Sequence, residues 1–118
     1  MITKVGAVII AECLSSIKKI DYIIISSETH MSETTELADF VSYDLIAVKD
    51  TRVTKDITSG KVILLFSTYE NASSLKTRNI KTVGLVCGSE IVSLEPANKT
   101  ISSSDILNQD YYLPLKIS

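Results

Sequence analysis

Tryptophan is absent from this 118-residue chain, histidine occurs once, cysteine and proline twice each, and glycine four times. Each scarcity closes off a class of chemistry. Cys13, Cys87 and His30 are too few for a structural zinc site, which takes about four such ligands, and the cysteines do not form a Cys-x-x-Cys pair. No metal site is expected. Gly84 and Gly88 stand four apart with no Gly-Lys-Ser/Thr after them, so phosphate loops of the Walker and dinucleotide types are missing. No cofactor is expected, and a nicotinamide or ATP enzyme is excluded on the same ground. No apolar run approaches the length of a spanning helix. Residues 5–11 (VGAVIIA) imitate the apolar part of a signal peptide, but Glu12 interrupts them and no small-residue cleavage site follows. The expectation is a cytoplasmic protein without a membrane partner.

A strong charge of either sign is lacking too. Twelve basic and fourteen acidic side chains leave −2, which offers no uniform basic field for a nucleic-acid backbone. The distribution is uneven, however. Residues 1–48 hold Lys4, Lys18 and Lys19 against seven carboxylates, whereas residues 49–81 hold Lys49, Arg52, Lys55, Lys61, Lys76, Arg78 and Lys81 against Asp50, Asp56 and Glu70. A basic middle third fits an anionic ligand or an acidic partner, and a solvated face produces the same counts.

What the chain does have is apolar content of 45%, with sixteen Ile and sixteen Ser. That composition and length suit one domain, residues 1–118, with one core. Four runs rich in β-branched residues punctuate it: 22–27 (YIIISS), 44–48 (DLIAV), 62–67 (VILLFS) and 82–87 (TVGLVC). They are apolar on both faces, as strands of a covered parallel sheet are.

Helical signals lie between these runs. Ser32 can cap a helix whose stripe is Met31, Thr34, Leu37, Ala38 and Val41. Val53 and Ile57 stripe a second that Gly60 ends, and Ser67 with Glu70 has capping-box spacing for a third, through Leu75 to Asn79. Val5, Ile9, Cys13 and Ile17 suggest an opening helix to about Lys19, with a strand over 4–11 as the competing reading. A hairpin over 90–95 and 100–103, turning at 96–99, and a final helical turn capped by Asp105 complete the reading. The expected fold is α/β: a Rossmann-like three-layer α/β/α sandwich, with a mostly parallel sheet of about four strands and a C-terminal antiparallel hairpin.

In such a sheet ligands bind beyond the strand carboxyl ends. The segments following the strands are polar and rich in hydroxyls, which nominates Ser27, Thr29, Lys49, Arg52, Thr68, Asn71 and Ser89 as ligand-binding residues. Lys49 and Arg52 are the anion-binding pair, although Asp50 also stands ready to neutralise either. If the chain is an enzyme, His30 is its acid or base, two residues from Glu28. Cys87 before Gly88 reads as a structural thiol first and a nucleophile second. The tail concentrates Tyr111, Tyr112, Leu113 and Leu115 beside Pro114. It either packs on its own domain or forms an interface with a partner protein or a second copy in a homodimer.

The functional expectation is a small regulatory or interaction domain that binds a small anionic ligand or a partner protein at the strand carboxyl ends. A small metal-independent phosphoesterase or nuclease is the alternative, and a structural subunit of a homo-oligomer is the third.

Overall fold

The computed structural model describes residues 1–6, 9–10, 19–56 and 61–116. Among these residues are seven strands: β1 (Tyr22–Ser26), β2 (Asp44–Ala47), β3 (Asp50–Asp56), β4 (Lys61–Asn71), β5 (Asn79–Cys87), β6 (Glu90–Thr100) and β7 (Ile106–Lys116). They build two sheets, one of order β2-β1-β5-β6 and the other of order β3-β4-β7. Every pairing between named strands is antiparallel. This overturns the three-layer α/β/α sandwich, its parallel sheet and the Rossmann-like reading.

The physical reason lies in the connections. Parallel neighbours need a crossover of about a dozen residues or more. Here only Val48 and Lys49 separate β2 from β3, only Gly88 and Ser89 separate β5 from β6, and residues 72–78 join β4 to β5. Gly88 adopts φ +62°, the left-handed conformation that glycine tolerates, and so closes the β5–β6 hairpin.

The four apolar runs are strands, but their two-sided apolar character has another cause. One face of the first sheet carries Ile23, Ile25, Ile46, Val83 and Leu85 into a cluster shared with Phe66, Leu107, Tyr111 and Leu113 of the second sheet. Its other face carries Ile24, Val86, Ile91 and Leu94 under Phe40, with Met31, Leu37 and Tyr43 packed alongside. The second cover is the irregular segment 27–43, which contains a single 3₁₀ turn, Leu37–Asp39. The helix expected from Ser32 is therefore absent. Leu37 and Met31 still bury against the sheet, whereas Val41, the end of the expected stripe, is 90% exposed.

The other helical expectations fail similarly. Val53 lies in β3, and Ile57 and Gly60 fall outside the described residues. Thr51, Val53 and Thr54 are β-branched, which favours a pleated ribbon. Ser67 to Asn71 continue β4, with Thr68 buried and Tyr69 exposed in strand alternation, before a 3₁₀ turn at Ala72–Ser74. β6 runs unbroken through 96–99, where a turn was expected. Two register shifts against β5 absorb its extra residues, and Pro96 sits in this outer strand of the sheet, the position proline tolerates. Asp105 accepts the Ser102 N–H at 2.6 Å in a turn that leads into β7 rather than into a helix.

Residues 4–6 and 9–10 are helical, and the remainder of the expected opening helix, Cys13 included, lies outside the described residues. Thr3 caps that start: its Oγ1 accepts the Gly6 N–H at 2.9 Å and donates to the Ile91 carbonyl at 2.6 Å. Met1 and Leu94 exchange backbone bonds, and Thr3 N–H donates to the Val92 carbonyl. Residues 1–3 thus lie along the outer side of β6 and satisfy backbone groups that an open edge leaves unpaired. Among the described residues no helix is long and apolar enough to cross a membrane.

Candidate functional site

Antiparallel strands alternate the direction in which they exit a sheet, so the rim expected at the carboxyl ends does not exist. Ser26 of β1 lies opposite Thr82, near the start of β5, while Cys87 closes β5 beside the start of β1. Ser27 and Ser89 consequently sit at opposite ends of the first sheet. Ser27 and Thr29 are exposed at the beginning of the cover. Thr68 is buried and spends its hydroxyl on the Ala47 carbonyl at 2.6 Å, tying the second sheet to β2.

One carboxylate fastens the two ends of the cover to each other. Glu28 accepts the Val41 N–H at 2.9 Å, the Ser42 N–H in a short bond, and His30 Nε2 at 2.9 Å. These partners hold its carboxyl down at about 2, with the His30 bond the largest cause, followed by the Ser42 and Val41 amides. His30 also sets its ring edge-on to Phe40, with centroids 4.7 Å apart. It is thus part of the clasp that closes the cover. A second clasp is Asp44, which accepts the Lys76 and Thr77 N–H groups. Burial pushes its carboxyl up, but hydrogen bonds from Thr77 and Lys76 outweigh it and the net direction is down.

Both folded carboxyls therefore lie below their unfolded values. Their contribution to stability is complete above the ordinary carboxylate range and is lost as the pH falls, for Glu28 between 4.5 and about 2. Urea midpoints measured downward from pH 7 are expected to drop most steeply in that acid window. Glu28→Gln is expected to lower the midpoint at pH 7 and to flatten the acid limb.

Among the described residues nothing packs over the outer face of the second sheet. Its central strand sends Asn71, Tyr69, Ser67, Leu65 and Ile63 outward, flanked by Asp50, Arg52 and Thr54 of β3 and by Ile106, Asn108, Asp110, Tyr112 and Pro114 of β7. Tyr69 is 58%, Tyr112 55% and Ile106 64% exposed. Among the tail residues, Tyr111 and Leu113 point the other way. They are buried in this chain's own core, and the Tyr111 hydroxyl meets Ser93 Oγ at 2.6 Å. Burial drives the Tyr111 phenol well above its ordinary range. Tyr112 alone of these three is presented outward, and Leu115 pairs through its backbone with Val62. Pro114 lies in β7, which pairs with β4 alone among the named strands, in keeping with proline's place on an outer strand.

At one end of this face Lys49, Tyr69, Glu70, Asn71 and Ile106 line a cleft of about 340 Å³. Two of the nominated residues, Lys49 and Asn71, meet here. Lys49 Nζ stands 5.7 Å from the Tyr69 ring centroid, a cation–π approach. Glu70 Oε1 is occupied by the Asn71 N–H at 2.9 Å. Arg52 lies on the same face but is paired with Asp50 at 2.9 Å, as the sequence left open.

No known protein family, curated protein or solved structure matches this chain. His30 belongs to the cover of the first sheet and Lys49 and Arg52 to the outer face of the second, so the acid–base and anion-binding groups of a phosphoesterase are not brought together. The Cys87 thiol donates to the Lys19 carbonyl at 3.2 Å. Tyr69 and Ile106 were missed from sequence. The alternation of Thr68 with Tyr69 was the available signal, once 67–71 is read as strand.

Proposed function

We propose that this chain is a small binding module, and that its cleft between Lys49, Tyr69, Asn71 and Ile106 takes an anionic group carried on an apolar body. The observation that carries this reading is the state of Lys49. Among the described residues its ammonium has no carboxylate within ion-pair distance, and it stands over an exposed aromatic ring at the mouth of a cleft. An anion entering there meets the Lys49 charge and the Asn71 side-chain amide, on the side away from the Glu70 carboxylate that caps the Asn71 N–H, while its apolar part lies on Tyr69 and Ile106.

Amide NMR titration with phenyl phosphate, inorganic phosphate and phenol tests it. Phenyl phosphate is expected to shift Lys49, Tyr69 and Asn71 saturably and more tightly than either fragment. Lys49→Ala is expected to weaken it roughly fivefold, the scale of an exposed charge pair. An unchanged affinity in that variant, or shifts confined elsewhere, refutes the assignment.

A further inference from the structure

A second cleft, unlike the first in charge, opens where the cover of the first sheet meets the β5–β6 turn. Its volume is about 500 Å³, and it is lined by Glu36, Leu37, Ala38, Phe40, Tyr43, Ser89 and Glu90. Leu37, Phe40 and Tyr43 belong to the apolar cluster above Ile24 and Val86, so these walls rest on packed core. Phe40 and Tyr43 meet edge to face at 6.4 Å. Two carboxylates, Glu36 and Glu90, stand in the lining, both exposed and neither in an ion pair among the described residues.

The surroundings have the same sign. Between Lys19 and Lys49 the sequence holds Asp21, Glu28, Glu33, Glu36, Asp39 and Asp44 and not one Lys or Arg. Glu28 and Asp44 are consumed as clasps and Asp21 accepts the Gly88 N–H, which leaves Glu33, Glu36 and Asp39 on the exposed side of the cover, Asp39 bonded to the Glu36 N–H. Among the described residues, Lys4, Lys76 and Lys19, whose carbonyl accepts the Cys87 thiol, border the region without lining the cleft. Lys4 is bonded through its backbone to the Glu33 carbonyl, and Lys76 Nζ lies 5.9 Å from the Tyr43 ring centroid. A cleft with one apolar wall and two carboxylates inside a field of one sign selects its occupant by charge, because the field attracts the opposite charge at a distance and burial rewards an apolar stem.

We infer that this cleft receives a basic side chain, arginine or lysine with apolar neighbours, from a peptide segment of a partner protein. The guanidinium or ammonium sits between Glu36 and Glu90, its methylene stem runs along Leu37 and Ala38, and the flanking apolar residues cover Tyr43. Arginine suits the site better than lysine, since its planar fork pairs with carboxylates and stacks on aromatic faces. The site is independent of the Lys49 cleft, so either assignment can fail alone.

The experiment is an amide NMR titration of the whole chain with four probes: the capped tripeptides Leu-Arg-Leu, Leu-Gln-Leu and Leu-Glu-Leu, and butylguanidinium. Leu-Arg-Leu is expected to shift Leu37, Tyr43, Ser89 and Glu90 saturably, to weaken as ionic strength rises, and to bind about tenfold more weakly to the Glu36→Gln/Glu90→Gln variant, about threefold per exposed carboxylate. Both glutamates are exposed, so that variant is expected to keep the wild-type urea midpoint within error. Lys49→Ala is expected to leave the binding unchanged. Four outcomes of the titration overturn the inference: no saturable shift at these residues, equal binding of the glutamine or glutamate peptide, equal binding to the double variant, or butylguanidinium binding as tightly as the peptide, which assigns the cleft to a free small cation instead. Concentration-dependent line broadening at these residues in the chain alone, abolished in the double variant, overturns it in favour of a second copy as occupant.

Discussion

Leu85→Ala is expected to lower the free energy of unfolding by about 2–5 kcal/mol, the largest loss from any conservative truncation considered for this chain. Leu85 is fully buried and points from the middle of β5 into the cluster that also holds Ile23, Phe66 and Tyr111. The cavity left by truncation therefore lies between two sheets, where neither can collapse without disturbing its own ladder. A domain of this size has about 5–15 kcal/mol in all, so the variant retains a folded state with a thin margin. In urea the midpoint is expected to fall with little change in slope. Val86, the next residue, is equally buried but faces the cover. Val86→Ala removes less surface and is expected to cost about 1–3 kcal/mol. NMR separates the two: Leu85→Ala perturbs Phe66 and Tyr111, whereas Val86→Ala perturbs Phe40.

Gly6→Ala sets two effects against each other. Within a helix alanine is better than glycine by about 1 kcal/mol, which taken alone predicts stabilisation. At this position, however, a Cβ falls 2.0 Å from the Val92 carbonyl oxygen and 2.7 Å from Thr3 Oγ1. The first is backbone of the bulged part of β6 and cannot swing aside. Overpacking of this kind costs about 1–3 kcal/mol or more, so the steric term wins and the variant is expected to be less stable than wild type. The loss reaches beyond one contact. If residues 1–6 shift away, the backbone bonds of Met1 and Thr3 to Leu94 and Val92 go with them. Amide exchange is expected to rise at Leu94 and Thr3 while Ile24 and Leu85 keep their protection. Uniform loss of protection would show that the segment is an integral part of the core.

Whereas β3 and β7 read as helix and tail, the positions of β1, β2 and the middles of β4 and β5 were legible because β-branched runs such as 22–27 suit little else. Their direction was not, because burial on both faces says that a sheet is covered twice and not what covers it. Here an antiparallel sheet takes a second sheet on one side and an irregular segment on the other, and only the short connections betray it. The expected helix from Ser32 failed for a related reason. Its apolar residues do face the core, but Glu28 supplies hydrogen bonds to Val41 and Ser42 from a distance in sequence that a pattern of spacing does not register. Ser67 and Glu70 matched a capping box, yet Thr68, Tyr69 and Asn71 are poor helix formers and extend a strand already begun.

Of the candidate residues, Lys49 and Asn71 meet in one cleft. Ser27 and Ser89 are driven apart by antiparallel order, Thr68 is spent inside, and Arg52 is neutralised by Asp50. The second cleft had one legible trace, the absence of any basic residue between Lys19 and Lys49. Its aromatic walls did not, because Phe40 and Tyr43 carry no local periodicity.

The strap that residues 1–3 lay along β6 also sets a timetable. Thr3 and Ile91 are 88 positions apart, and Met1 and Leu94 are 93 apart. Residues 1–3 therefore cannot reach their partners until β6 is in place. Such remote pairings slow folding, because loop closure must be completed before the contacts reward it. In the interval the outer side of β6, with Ile91, Val92 and Leu94, is open to any strand that arrives first, including one from a neighbouring nascent copy. Refolding from urea is accordingly expected to depend most on protein concentration in variants that lack residues 1–3.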